Sequence, residues 1–265
     1  MRILLTNDDG IDSPGIAALH GALDGLGEII PVAPLTVQSA SSHGITFNEP
    51  LMTQIVTVNE RMSGVAVDGR PADCVSLALR TILPQRFGPD GTVDLTISGM
   101  NVGANVGIHV LYSGTVGAAV ESAFLGVPAI AVSLQIGDRA RTCFDRAATI
   151  ARTVIDRILD SADTGLDAHT VLNINIPLIE SDEAPMPPVR VVEMNTAPGT
   201  DAYERRVSPA GQVYYWLAGT NEFTHTAPDT DVEAVMEGCV TVTPLTYVLT
   251  DHARLQTWKE RLEEK

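Results

Sequence analysis

The sequence predicts an α/β protein: a three-layer, doubly wound (Rossmann-like), mostly parallel sheet, with a β-rich excursion and a helix towards the C-terminal end. Two observations carry that expectation. Short runs that are apolar almost throughout, Arg2 to Thr6, Ile29 to Ala33, Val93 to Ser98, Ala129 to Ser133 and Val171 to Ile176, alternate with helical patterns at Ile16 to Leu26, Ala72 to Leu83, Val116 to Leu125 and Phe144 to Leu159. Strands of that kind are what a parallel sheet covered on both faces requires, and right-handed crossovers between them follow. After about Pro177 the rhythm changes. Ser181 to Pro188 carries three prolines and two acids, and the strand-like pieces Val189 to Glu193, Val213 to Leu217 and Val240 to Val242 follow without long helices between them. The expected organisation is therefore an α/β core over residues 1–178, a β-rich excursion and return to the core over 179–250, and a helix over 251–265.

The first strand runs directly into Asn7-Asp8-Asp9-Gly10. A strand ending in two adjacent carboxylates points them into the crevice where open α/β sheets bind ligands. The two charges repel, each raising the other's pKa unless a cation lies between them or the site is wet, so the pair reads either as a hard-metal site or as a solvated turn. The second strand opens into Ala33-Pro34-Leu35-Thr36-Val37-Gln38-Ser39-Ala40-Ser41-Ser42-His43-Gly44-Ile45-Thr46, dense in hydroxyls, which on the same edge is either functional or an ordinary polar loop. After Val93 to Ile97 comes Ser98-Gly99-Met100-Asn101-Val102-Gly103-Ala104-Asn105-Val106-Gly107. Its glycines and asparagines fit a backbone that approaches a ligand closely, with amide oxygens for a hard cation, or a loop that needs several positive φ values. Tyr112-Ser113-Gly114-Thr115 opens the next helix, with Ser113 or Thr115 as its cap. That opening is either a phosphate cradle that needs no lysine or a plain cap.

Composition narrows the chemistry. The 265 residues, 45% hydrophobic and 19% charged, can bury a full core. A net charge of -16 argues against nucleic-acid polymers and anionic membranes as partners, because no polybasic footprint exists to release counterions. The lysines are Lys259 and Lys265, at the very end, so a P-loop lysine, a Schiff-base lysine and the lysine of aspartyl-phosphate chemistry are excluded from the core. An anionic substrate would then need a divalent metal and a helix N-terminus. Cys74, Cys143 and Cys239 lack metal-site spacing and read as reduced thiols. No signal pattern and no run of ~18 apolar residues is present, so a soluble, cytoplasmic protein is expected.

Taken together, these loops make the chain resemble the SurE (survival protein E) family of metal-dependent nucleotide phosphatases. The stretches that carry the resemblance are Met1 to Ile11, Ala33-Pro34 with Ser39 and His43, Val67-Asp68-Gly69 through Pro71 to Val75, Ser98 to Asn101, Tyr112 to Ala119, Asn173 to Pro177, and Thr230-Asp231 through Val242 to Leu245. The resemblance implies one divalent ion per subunit, magnesium, manganese or calcium, held by Asp8, Asp9, Ser39 and Asn101. It places the catalytic role on Asp8 and Asp9. Phosphate and substrate binding fall to Asn7, His43, Gly44, Asn101, Ser113, Gly114 and Thr115, with His43 as a candidate proton carrier. Nucleoside 5'- and 3'-monophosphates, and short polyphosphate, are the implied substrates. A homodimer or homotetramer joined through exchanged C-terminal elements is the implied assembly. Leu35, Gln38 and Arg70 depart from the family pattern and bear on substrate range.

Two rivals are weighed. A non-enzymatic receiver-type module also places acids after its first strand, but needs an aspartate on its third strand and a core lysine. Pro50 to Val58 holds no aspartate. A dinucleotide-binding module would need G-x-G-x-x-G in the first turn, which is absent.

Overall fold

A computed structural model describes residues 1–162, 165–197, 202–217 and 227–263. Its central strand, β1 (Arg2–Thr6), pairs in parallel with β2 (Glu28–Pro34) on one side and with β5 (Leu95–Val102) on the other. Outside β2 lie β4 (Ser63–Val67), parallel, and β3 (Thr53–Thr57), antiparallel, at the edge. Outside β5 come β6 (Ala129–Leu134) and β7 (Val171–Ile176), both parallel. Next is β11 (Val240–Leu245), antiparallel to β7, and then β8 (Val189–Val191), parallel to β11. The sheet thus has nine strands in the order β3-β4-β2-β1-β5-β6-β7-β11-β8. The chain winds outward from β1 to β2 and β4 and then returns to the other side of β1. That reversal opens a crevice at the carboxyl ends of β1 and β5, where ligands bind in sheets of this kind.

Because successive side chains of a strand point to opposite faces, β1 feeds two cores. Ile3 and Leu5 pack with Ile16 and Leu19 of α1 (Pro14–Ala22) and Ala147 to Ile155 of α6 (Phe144–Asp160). Leu4 packs on the other face, with Cys74 and Val75 of α2 (Pro71–Leu77) and Ala118 of α5 (Gly114–Phe124). Gly15 brings α1 against the end of β5 so closely that a Cβ there would collide with the Met100 carbonyl oxygen. The doubly wound, mostly parallel sheet expected from the sequence is present.

Several boundaries differ from the sequence reading, each for a physical reason. The first helix stops at Ala22 rather than Leu26, because Gly25 takes a φ of +78° and turns the chain towards β2. The helix expected over Ala72 to Leu83 is present and runs on to Phe87, its backbone staying helical throughout. Within it α2 widens into a π turn over Ala78–Ile82 and continues as α3 (Leu83–Phe87), the change falling beside Pro84, which has no N–H for the α-helical ladder. β5 extends through Asn101, so Asn101 is a strand residue at a bulge, the register against β6 shifting between Ser98 and Asn101. Pro50 to Val58, taken above as the third strand, contains β3, but its antiparallel pairing with β4 differs from the expected parallel order. Most of β3 is exposed, which removes the apolar run that marks the inner strands.

The excursion contains β8, the hairpin of β9 (Tyr203–Val207) and β10 (Val213–Leu217), and the short α7 (Asp231–Met236). The expected excursion also covers residues 198–201 and 218–226, which lie outside the described residues, as do 264 and 265 of the expected terminal helix. Every residue of the hairpin strands is exposed, Tyr214, Tyr215 and Trp216 among them. The final helix, α8 (His252–Glu263), likewise exposes Leu255, Trp258 and Leu262 along its length. Among the described residues no helix is long and apolar enough to cross a membrane.

Candidate metal and phosphate site

The loop leaving β1 is closed by Asn7, whose Nδ2 donates to the Gly10 carbonyl at 2.8 Å and to Ser13 Oγ at 2.9 Å, while its buried Oδ1 has no hydrogen-bond partner. Asp8 and Asp9 diverge from this loop. Asp8, 5% exposed, turns to the start of α5, accepting from the Thr115 hydroxyl at 2.5 Å and from the Thr115 N–H at 3.2 Å. Asp9 turns to the end of β5 and accepts from the Val102 N–H at 2.8 Å. The two carboxylates are thereby pinned to different elements on the two sides of the crevice.

Asn101 lies on the bulge between them, its Nδ2 spent on the Gly103 carbonyl at 2.7 Å, so Oδ1 is the atom left for a cation. The glycine-rich turn after it is held from below by a buried polar cluster. Asn105 N donates to Asn175 Oδ1 at 2.7 Å, Asn105 Nδ2 to Ser133 Oγ at 2.9 Å, and Asn173 Nδ2 to the Asn105 carbonyl at 2.8 Å. Asp231, fully buried at the start of α7, accepts from the Gly107 N–H at 2.9 Å and the Asn195 N–H at 2.8 Å.

The hydroxyl-rich loop folds across α5. Gln38 N donates to the Asp8 carbonyl at 2.7 Å, which places the exposed Ser39 beside the acidic pair. Ser42 donates through N to the Tyr112 carbonyl at 3.0 Å and through Oγ to the Leu111 carbonyl at 2.7 Å. Ser41 Oγ is buried with no partner, and a Cβ on Gly114 would stand 2.5 Å from it and 3.0 Å from Asp8 Oδ2. Only glycine leaves room at that point. Ser113 caps α5, its Oγ accepting from the Val116 N–H at 3.0 Å.

His43 stands elsewhere. Its Nε2 meets Glu121 Oε2 at 2.8 Å, seven residues along α5 from Gly114, a rise of about 10 Å along the helix. The imidazole therefore clasps the loop to α5 and does not reach the acidic pair as a proton carrier. Gly44 lies under the Arg70 guanidinium, on the same outlying side. Of the residues expected at the site, the structure thus gathers Asn7, Asp8, Asp9, Ser39, Asn101, Ser113, Gly114 and Thr115, and sets His43 and Gly44 apart.

A family model described as survival protein SurE matches residues 3–201. The chain is 44% identical over 260 residues to the 5'-nucleotidase SurE of Rhodopirellula baltica, with 98% of each covered, and 42% identical to the 5'-nucleotidase SurE of Desulforudis audaxviator, with 98% of this chain and 97% of that relative covered. The crystal structure of the SurE protein of Aquifex aeolicus matches with a TM-score of 0.80 at 34% identity, covering 98% of this chain and 99% of that one. The chain belongs to the SurE family.

In this SurE chain the donor set suits a hard cation. Among the described residues no three His, Cys, Asp or Glu side chains gather, so a cation at the crevice would be held by two carboxylates and neutral oxygens, not by the imidazole or thiolate sets of zinc. The electrostatics agree. Burial raises the Asp8 carboxyl to about 6, the Thr115 hydroxyl pulling the other way and the Asp9 charge adding to the rise. Burial also raises Asp9, opposed by the Val102 N–H and by the charge of Arg139. Arg139, Ser41 and the Asn105 cluster are the parts that sequence reasoning missed. Asn173, Asn175 and Asp231 do lie in stretches shared with the SurE family, but without a role that the sequence could assign.

The sign of the Asp8 shift yields a test. Its folded pKa, about 6, lies above the ordinary 3.8, so without metal the folded state holds the extra proton, and the associated stability is complete below about pH 4 and lost as the pH rises through 6. In EDTA, Asp8→Asn should lack this loss and gain on wild type between pH 4 and 7 by on the order of 1–3 kcal/mol. Denaturant unfolding at a series of pH values checks it; parallel profiles for the two proteins would refute the buried-charge account.

Proposed function

We propose that this chain is a metal-dependent phosphomonoesterase that cleaves nucleoside 5'-monophosphates, and 3'-monophosphates and short polyphosphate beside them, to release inorganic phosphate. The observation that supports it most is the convergence of Asp8, Asp9 and Asn101 with the start of α5 at the switch point of the sheet, in a chain whose relatives carry the name 5'-nucleotidase. The cation, one per subunit and magnesium, manganese or calcium by the hardness of its ligands, is held by Asp8, Asp9, Asn101 Oδ1 and Ser39. When bound it supplies charge neutralisation at the phosphoryl oxygens and a lower pKa for the attacking water.

The rest is done by the chain itself. Val102 N–H fixes Asp9 by one carboxylate oxygen and leaves the other to take the proton of the attacking water. Thr115 anchors Asp8 and so spends its own N–H, which leaves the Gly114 N–H at the opening of α5, with the helix dipole behind it, to receive a non-bridging oxygen. Asn7 braces the loop that carries both acids. One assay tests this reading. Release of phosphate from a nucleoside 5'-monophosphate is expected with manganese and is abolished by EDTA; no release under either condition would sink the enzymatic reading.

The exposed aromatics of β9 and β10 and the exposed apolar residues of α8 support assembly through C-terminal elements, as a homodimer or homotetramer. Sedimentation at micromolar concentration should show a multiple of the 28.2 kDa chain. A monomer alone would count against it.

A further inference from the structure

The mechanism above leaves one electrostatic need unmet. A phosphate dianion enters a crevice lined by two carboxylates, and no lysine stands anywhere in the core to receive it. Among the described residues, Arg139 is the cation whose charge opposes the rise of the Asp9 carboxyl.

Its placement follows from the sheet. Val102, the residue whose N–H holds Asp9, is registered against Leu134 at the end of β6, and the chain leaving Leu134 reaches a single turn of 3-10 helix at Arg139–Arg141. That turn is fixed at several points. Asp138 caps it, accepting from the Ala140 N–H at 3.0 Å, and the Thr142 hydroxyl donates back to the Asp138 carbonyl at 3.1 Å. Arg141 is paired with Glu180 at 2.9 Å, and the Cys143 N–H is bonded to the Ile179 carbonyl at 3.0 Å. Arg139 differs from its neighbour. Among the described residues its exposed guanidinium has no carboxylate within ion-pair distance and no hydrogen bond, so its five donors are unspent beside the carboxyl edge.

We propose that Arg139 is a substrate-binding catalytic residue of this chain, whose guanidinium receives the non-bridging oxygens of the phosphoryl group at the Asp9 side of the crevice, opposite the opening of α5. A planar fork that can take two oxygens at once suits a phosphate better than a point charge would, and one unpaired arginine compensates for the absent lysines. This rests on the phosphomonoesterase reading, and its test is built to fail separately from it.

The test compares wild type, Arg139→Gln, Arg139→Lys and, as a control of equal charge change in the exposed turn between β3 and β4, Arg61→Gln. Hydrolysis of a nucleoside 5'-monophosphate, binding of inorganic phosphate in the presence of manganese, and binding of manganese alone are measured for each. Arg139→Gln should lower kcat/KM by 10-fold or more and weaken phosphate binding by a similar factor, figures on the order expected for one charge-assisted bidentate contact. It should at the same time leave manganese binding equal or tighter, because a cation near Asp9 repels the metal. Opposite movements of the two affinities are something a merely structural role for Arg139 would not produce. Arg139→Lys should fall between, and Arg61→Gln should match wild type. Wild-type affinity for phosphate and wild-type turnover in Arg139→Gln would overturn the proposal, and so would parallel loss of phosphate and manganese binding in both Arg139 variants. A wild-type protein that releases no phosphate would instead remove the phosphomonoesterase reading beneath it.

Discussion

The constraint on which the rest of the structure depends is the separation of two neighbouring carboxylates in a poorly solvated crevice. Adjacent residues at the end of a strand point to opposite sides, and here each side holds a donor. Asp8 meets the hydroxyl and N–H of Thr115 at the start of α5, and Asp9 meets the N–H of Val102 at the end of β5. The first contact sets an anion against the positive end of a helix, the second satisfies a backbone donor of β5 that lies beyond its pairing with β1, which ends at Thr6 and Ser98. Together they tie β1, β5 and α5 at one point. Gly114 has to be glycine in this arrangement, since a side chain there would displace both Asp8 and the buried Ser41 hydroxyl.

A second, deeper layer keeps that point rigid. The strand interiors of β6 and β7 carry polar side chains, Ser133, Asn173 and Asn175, where a parallel sheet would ordinarily bury aliphatics. The Ser133 hydroxyl and the two asparagine amides hold Asn105, and Asp231 holds Gly107, so the turn that follows Asn101 cannot shift without leaving several buried polar groups unpaired. Each such loss costs roughly 1–3 kcal/mol, which makes the cluster a stiff support for the neutral-oxygen side of the site. The C-terminal part of the chain thereby contributes to a crevice made chiefly by its N-terminal part.

Much of this was legible in the sequence, and the reason is physical. Inner strands such as Ala129 to Ser133 are buried on both faces and so read as continuous apolar runs, and a doubly wound sheet sends the loops after them to one edge. Asp8, Asp9, Asn101 and the Ser113-Gly114-Thr115 opening were recoverable as loop chemistry at strand ends. What could not be read was direction. His43 lies in the right loop, but its imidazole runs down α5 to Glu121, whose carboxyl that hydrogen bond holds below the ordinary glutamate range. Thr115 looked like part of a phosphate cradle, and its hydrogen bonds go to Asp8. The antiparallel pairing of β3 with β4 was missed because an exposed edge strand has no apolar signature, and Arg139 because an arginine in a short turn has no periodicity at all.

The account stands or falls on a cation held between the two carboxylates. Calorimetric titration of manganese into the metal-stripped protein and into Asp9→Asn tests this most directly. One binding event per chain is expected for wild type, with affinity reduced at least tenfold in the variant, whose fold is kept by the Val102 N–H bonding the amide oxygen in place of the carboxylate. Absence of binding to the wild-type protein, or an affinity unchanged by Asp9→Asn, would contradict it.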